Sequence, residues 1–102
     1  MTAGQHPRHS LDDLLTHPVR FSIVAALHGL EKAEFAAVRD SVEITAPTLS
    51  KQVALLEGAG YVGVEKGRVG RQARTWLSLT DAGKDAYTQH LGALRRIAGL
   101  PG

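Results

Sequence analysis

Two short amphipathic stretches lie a few residues apart in the middle of this 102-residue chain, and their spacing strongly constrains the fold. Apolar residues recur at helical intervals in both stretches: Phe35, Val38 and Val42 in the first, and Leu49, Val53 and Leu56 in the second. Between them, Thr45 is a credible N-cap, because the Pro47 that follows fits a first helical turn, where amides lack partners anyway. Two helices joined by so short a connection have helix-turn-helix spacing.

The flanking segments complete an α+β pattern. After Gly60 the helical periodicity gives way to two stretches of high β-propensity separated by glycines, which predicts a hairpin. Thr80 then caps a last helix. The expected order is a helix at about 18–28, a short edge strand at 32–34, a second helix, a turn, a third helix at about 46–58, a hairpin with its turn at Gly67–Gly70, and a C-terminal helix at about 81–98.

The composition fits one small folded domain. Hydrophobic residues make up 43% of the chain and charged residues 22%, close to globular averages, so residues 10–98 can bury one core. We expect residues 1–9 to be a disordered lead-in, with a short helical turn at Leu11–Leu15 capped by Ser10, and residues 99–102 to be flexible. No run approaches the ~20 apolar residues of a membrane span, and we expect a cytoplasmic protein.

The basic residues concentrate in the middle of the chain. Residues 44–79 hold five basic and two acidic residues, a net charge of +3, whereas the rest holds seven basic and eight acidic ones. A basic region on an otherwise balanced domain suggests a polyanionic partner.

Two sequence segments carry a family resemblance. The stretches "TAPTLSKQVALLEGAGYVGVEKG" and "GRQARTWLSLTDAGKDAY" resemble the small winged-helix transcriptional regulators related to the MarR and ArsR groups, and the resemblance runs from about Asp13 to Ala98. It implies a winged helix-turn-helix protein that binds double-stranded DNA, usually as a dimer, to repress or activate transcription. The third helix, at about 46–58, would be its recognition helix in the major groove, and the hairpin would be its wing, on the backbone or the minor groove. We expect a sequence-specific homodimeric regulator, with repression as the expected sign.

The N-terminal part of the predicted recognition helix offers small and hydrogen-bonding groups to a major groove. If the apolar stripe of this helix faces the core, Lys51 and Gln52 project outward, where Lys can donate to guanine or phosphate and Gln can pair with adenine. The predicted contacts in this helix are Thr45, Ala46, Pro47, Thr48, Ser50, Lys51 and Gln52.

The predicted wing at 66–74 has four cations and no acid. Arginines at its tip can reach phosphates or a narrow minor groove. Arg68 and Arg71 are the strongest candidates, whereas Arg74 has the alternative of pairing with Glu65 across the hairpin. Trp76 alternates with Leu77 on a strand next to the core, and we expect it to have a packing role rather than to stack on a ligand. The predicted contacts in the wing are Lys66, Arg68, Arg71, Gln72 and Arg74.

The last helix carries more apolar residues than a domain of this size needs, so its stripe has two possible uses, the domain's own core and a second copy of the chain. The predicted dimer contacts are Tyr87, His90, Leu91, Leu94 and Ile97.

Other kinds of site find little support. Cysteine is absent, which excludes disulfides and thiolate chemistry, and the five histidines form no recognisable ligand pair. We expect no catalytic residues, metal or cofactor, and a small-molecule effector stays open. The alternative function is a winged-helix module that binds protein or RNA, since fold alone does not settle function.

Overall fold

The computed structural model describes residues 5–101. A one-turn 3₁₀ helix at Pro7–Ser10 precedes four α-helices and three strands. In chain order these are α1 (Pro18–Leu27), β1 (Ala33–Glu34), α2 (Phe35–Val42), α3 (Ala46–Gly58), β2 (Val62–Val69), β3 (Gln72–Leu79) and α4 (Asp81–Ile97). The strands form one antiparallel sheet in the order β1-β3-β2. The predicted α+β winged helix-turn-helix is confirmed.

Three of the helices end in the same way. After α3, the Gly60 amide donates to the Glu57 carbonyl and the Tyr61 amide to the Leu56 carbonyl, which is a Schellman motif with a left-handed residue at its centre. The end of α4 repeats this pattern at Gly99, and the end of α2 repeats it at Glu43. The helix-turn-helix connection therefore contains a glutamate where the other two helices have glycine.

Every α-helix of the domain except α4 contributes fully buried aliphatic side chains to one core, and the sheet closes it from one side. Alternate residues of β2 and β3 point into this core, because successive side chains of a strand point to opposite faces. The buried hydrophobic residues of the core are Leu15, Ile23, Val24, Leu27, Val38, Leu49, Val53, Leu56, Val62, Leu77 and Leu79.

The base of the hairpin and the start of α4 are locked together at one point. Tyr61 precedes β2 and Thr80 follows β3, and the Thr80 amide donates to the Tyr61 carbonyl at 3.1 Å. The Thr80 hydroxyl bonds the Gly60 carbonyl and also caps α4 by accepting from the Gly83 amide at 3.0 Å. Gly83 is buried against this junction, where a Cβ would overlap the Tyr61 carbonyl oxygen.

The start of the chain departs from the prediction. Pro7–Ser10 form the 3₁₀ turn and lie against α4, so the expected disordered lead-in is wrong for these residues, and residues 1–4 lie outside the described part. The helical turn expected at Leu11–Leu15 is present one residue later, where the amides of Leu15 and Thr16 both donate to the Asp12 carbonyl. Asp12, not Ser10, caps it, with its carboxylate accepting from the Leu14 amide at 2.9 Å.

The wing turn lies further along than predicted. Strand β2 continues through Gly67 to Val69, which pairs with Gln72 and leaves Gly70 and Arg71 as a two-residue turn. Gly70 has a φ of 61°, which a two-residue hairpin turn needs and glycine adopts without strain. Gly67 instead makes room for the ring of Trp76, since a Cβ there would lie 3.0 Å from that ring.

Candidate nucleic-acid interface

The connection between α2 and α3 is defined by caps on both sides. Glu43, with a φ of 60°, reverses the chain after α2, and Thr45 begins α3 two residues later. The Thr45 hydroxyl accepts from the Thr48 amide at 3.3 Å and donates to the Thr48 hydroxyl at 2.9 Å. The Schellman motif at Glu43 and the Thr45 cap satisfy backbone groups at the end of α2 and the start of α3 that would otherwise need water, so the connection between the two helices is well defined.

One face of α3 is buried in the core and the opposite face is exposed. The exposed row runs along Pro47, Ser50, Lys51 and Ala54, at helical spacing. Of the predicted contacts, Thr45, Pro47, Ser50 and Lys51 are exposed, and Ala46 and Thr48 are half-buried. Ala54 was missed, although its spacing from Ser50 and Lys51 places it on the same face.

Gln52 is the exception on this helix. It is 8% exposed and lies on the buried face between Leu49 and Leu56. Its side-chain oxygen accepts a hydrogen bond from Arg20 Nη1 at 3.0 Å. The prediction that Gln52 projects outward to pair with adenine is therefore wrong, because the side chain is turned inward and its acceptor is already used.

The inner face of the wing, which continues the core-facing side of the sheet, carries Lys66 and Arg68 beyond the last buried residues. A groove of about 440 Å³ separates α3 from the hairpin, with Ser50 and Ala54 on the helical side and Lys66 on the strand side. Arg71 is exposed in the turn, and its carbonyl accepts from Arg68 Nη1 at 3.3 Å. The groove is thus lined by Ser50 and Glu57 of α3 on one side and by Lys66 of the wing on the other.

Charges on the outer face of the hairpin are paired. Lys32 Nζ lies 3.5 Å from Glu65 and 5.1 Å from the centre of the Trp76 ring. Arg74 Nε lies 3.8 Å from Glu34, so the predicted alternative of an Arg74–Glu65 pair is wrong. The reason is the added strand β1, which brings Glu34 opposite Trp76 on β3.

Trp76 is half-buried on this outer face, opposite the core. Its ring packs over Gly67 and lies near Lys32, so the expected packing role of Trp76 is confirmed, although the adjacent Leu77 occupies the core-facing position of β3. Gln72, a predicted wing contact, is exposed beside the turn.

The predicted dimer contacts of α4 divide into two groups. His90 is 2% exposed within its own chain, which leaves no surface for a partner, so its assignment to a dimer interface is wrong. Tyr87 is half-buried and stacks on Phe21 of α1 with the ring centres 5.6 Å apart. Leu91 is half-buried as well. Leu94 and Ile97 are 38% and 42% exposed, and Leu100 just beyond the helix is 59% exposed.

His90 belongs to a polar cluster between α4, the N-terminal turn and the start of β2. Its Nδ1 accepts from the Asp12 amide at 3.0 Å, and the Asp12 carboxylate accepts from the Tyr61 hydroxyl at 2.5 Å. Burial lowers the pKa of His90, against the opposing effect of the Asp12 charge. The hydrogen bond to Asp12, together with burial, raises the pKa of Tyr61 to about 12.

The described residues contain neither a cluster of metal ligands nor a membrane-spanning helix. Within residues 5–101, no three histidine, cysteine, aspartate or glutamate side chains are grouped closely enough to hold a metal ion. None of the helices in that part of the chain combines the length and apolarity needed to cross a membrane.

Comparisons with known proteins agree with this geometry. A family model described as "Winged helix DNA-binding domain" matches residues 19–98. An uncharacterized protein of Methanocaldococcus jannaschii, MJ0432, is 29% identical over 80 residues, which cover 78% of this chain and 87% of that protein.

Solved structures give the same fold. A transcriptional regulator homologue from Pyrococcus horikoshii OT3 has a TM-score of 0.79 at 27% identity, covering 84% of this chain and 85% of the other. The M. tuberculosis transcriptional regulator MosR, solved in complex with DNA, has a TM-score of 0.71 at 19% identity, covering 94% of this chain and 68% of the other. The chain belongs to the winged helix DNA-binding domain family.

Proposed function

We propose that the protein is a sequence-specific regulator of transcription that binds double-stranded DNA as a homodimer, in the cytoplasm. The observation that carries the proposal is the groove between α3 and the wing, which exposes Ser50 on one side and Lys66 on the other. The major groove of DNA is wide enough to admit an α-helix, and a basic hairpin beside that helix reaches the flanking DNA backbone.

In this proposal α3 selects the sequence. Pro47, Ser50, Lys51 and Ala54 form its exposed row, in which small side chains allow close approach. Ser50 can bond to either donor or acceptor groups of base edges, and Lys51 can donate to guanine. At the start of the helix the amides of Thr48 and Leu49 are used by the Thr45 cap, so the Thr48 hydroxyl is the group there that can donate to a phosphate.

The wing supplies affinity that depends little on sequence. Arg71 in the turn and Lys66 and Arg68 on the inner face can neutralise phosphates, and counterion release makes such binding depend steeply on salt. Arg74 contributes less, since it is half-buried beside Glu34.

The test is a titration of a fluorescent random duplex between about 50 and about 200 mM salt, over which phosphate-dominated binding weakens strongly. Steep salt dependence supports the proposal. A flat response, or no binding at low salt, contradicts it and favours a protein- or RNA-binding module.

Two variants separate the proposed roles. Arg71→Ala should weaken binding to every duplex about equally and reduce the salt slope by about 1, whereas Lys51→Ala should change the preference among duplexes. Arg8→Ala is the charge-matched control, because Arg8 lies in the 3₁₀ turn against α4 rather than in α3 or the wing. If Arg71→Ala and Lys51→Ala behave alike on varied duplexes, these roles are wrong.

The proposed dimer uses the end of α4. Leu94, Ile97 and Leu100 expose apolar surface along the last turns of α4 and just beyond them. A second copy related by a two-fold axis would cover the same residues on both chains and would present two α3 helices to successive half-sites.

Sedimentation at about 100 μM tests the dimer, because association is concentration-dependent. Leu94→Glu should shift the population toward monomer, while Leu55→Glu, at an exposed leucine of α3, should not. A wild-type monomer at this concentration, or a Leu94→Glu variant that stays dimeric, contradicts the interface.

The regulation that we propose is repression, because a dimer seated on DNA blocks access to the sequence that it covers. A reporter whose promoter contains a duplex selected by the protein should lose expression when the protein is present. Increased expression would show activation instead.

A further inference from the structure

Gln52 is the one polar residue among the buried side chains of α3. A buried amide must find hydrogen-bond partners, because leaving it unpaired costs more than the bond itself contributes. Its partner is the charged guanidinium of Arg20 on α1, 32 residues earlier, and hydrogen bonds to charged groups are the stronger kind.

Arg20 is itself fixed in place. Its Nε donates to the Leu14 carbonyl at 2.7 Å while its Nη1 donates to Gln52, so both acceptors are served by one rigid planar group. The turn that carries Leu14 is held in turn by Asp12, which accepts from the Leu14 amide and donates its own amide to His90 of α4.

These contacts form one hydrogen-bonded series from α3 through α1 and the N-terminal turn to α4. Each link is 3.0 Å or shorter. The other buried residues of α3 are Leu49, Val53 and Leu56, whose apolar contacts resist separation of the helices but specify rotation of α3 less sharply. The directional contact among them is the Arg20–Gln52 bond.

We propose that the Arg20–Gln52 hydrogen bond sets the rotation and tilt of α3 at which its exposed row meets base edges, which makes Arg20 and Gln52 positioning residues for sequence selection. This inference rests on the proposed function. Gln52 lies one position from Lys51 on the same helix, so a rotation of α3 moves Lys51 directly. Sequence selection then depends on α1 although Arg20 itself need not touch DNA.

The measurement is a selectivity ratio, the affinity for a duplex selected from a random pool by the wild-type protein divided by the affinity for an unselected duplex of equal length and composition. Phosphate contacts from the wing enter both affinities and cancel in the ratio. Four variants are compared with the wild type: Gln52→Met, Arg20→Met, the double variant, and Gln52→Glu. Gln89→Met is the control, the same replacement at an exposed position of α4.

Each single Met variant should lower the ratio about tenfold, equivalent to ~1.4 kcal/mol, and the double variant should lower it no further. Gln52→Glu keeps an acceptor for Arg20 and should keep the ratio, although its charge weakens both affinities. Gln89→Met should change nothing.

A direct contact of Gln52 with bases gives the opposite pattern: Gln52→Glu loses the ratio, and Gln52→Met has its full effect even without Arg20. Either result, or Met variants with the wild-type ratio, overturns the inference. Urea unfolding checks that the variants fold; if the Met variants do not, Arg20→Lys, which cannot serve both acceptors, should lose the ratio while Gln52→Glu retains it. A wild-type protein that binds no duplex refutes the proposed function instead.

Discussion

Replacing Gly83 with alanine tests whether the junction of wing and α4 is as tight as described. Gly83 occupies the third position of α4, and an added Cβ would overlap the Tyr61 carbonyl oxygen and lie within 3.1 Å of the Tyr61 Cα. The obstacle is backbone on both sides, so neither rotation of a side chain nor a small local shift relieves it.

The expected change in the free energy of unfolding combines two losses and one gain. Overpacking a rigid site costs typically ~1–3 kcal/mol. Displacing α4 also weakens the bond from the Thr80 amide to Tyr61, worth about 1 kcal/mol. Alanine regains at most ~1 kcal/mol of helix propensity. We therefore expect Gly83→Ala to lower the free energy of unfolding by about 2 kcal/mol.

Gly92 in the same helix is the matched control. A Cβ at Gly92 meets only the flexible end of Arg96, at 3.4 Å, so Gly92→Ala should gain about 0.5–1 kcal/mol from helix propensity. The assay is urea unfolding followed by circular dichroism, in which a loss of 2 kcal/mol lowers the midpoint by about 1 M. If Gly83→Ala is as stable as Gly92→Ala, the described contact between α4 and Tyr61 is wrong.

Four further substitutions test local features by the same unfolding assay. Glu43→Gly should raise the free energy of unfolding by about 1 kcal/mol, because glycine adopts the left-handed conformation without strain. Gly60→Ala, at the equivalent position after α3, should lower it by a similar amount, and changes of the same sign in the two variants would contradict the left-handed assignment. Thr45→Ala should cost about 1 kcal/mol through loss of the α3 cap, and an unchanged midpoint would rule the cap out as a contributor. Burial lowers the pKa of His90 below its unfolded value of about 6.5, so the unfolded chain takes up the proton first as the pH falls. The free energy of unfolding should therefore be highest above about pH 6.5 and decrease as the pH drops below it. His90→Asn, which keeps an acceptor for the Asp12 amide, should show a smaller decrease.

The elements and their order could be predicted because each has a local signal. Pro47 after Thr45 marks the start of α3, and Thr80 marks the start of α4. The change of period after Gly60 marks the hairpin. These signals lie within a few residues of the features they specify, so no knowledge of distant contacts is needed.

The errors at Gln52 and His90 have a common cause. Both residues lie at buried spacing, Gln52 three positions after Leu49 and His90 three before Ala93. The polar side chain of Gln52 suggests an exposed role, however, and the apolar stripe that includes His90 suggests a contact with a second chain. What buries them is a partner far away in sequence: Arg20 for Gln52 and Asp12 for His90. Spacing was the better guide, because burial of a polar group is decided by whether a partner exists, which local sequence does not reveal.

The two faces of the hairpin differ in net charge, so an electric field tends to orient the wing. On the outer face Lys32 is matched by Glu65 and Arg74 by Glu34, whereas Lys66 and Arg68 on the inner face have no acid among these pairs. The excess positive charge of the hairpin thus lies on the side that faces α3, across a groove that Glu57 also lines. A nearby polyanion attracts this side of the hairpin more strongly than the outer face, over the Debye length of about 8 Å at physiological salt. If the protein binds DNA as proposed, this attraction would orient the side of the wing that faces α3 toward the duplex before contact.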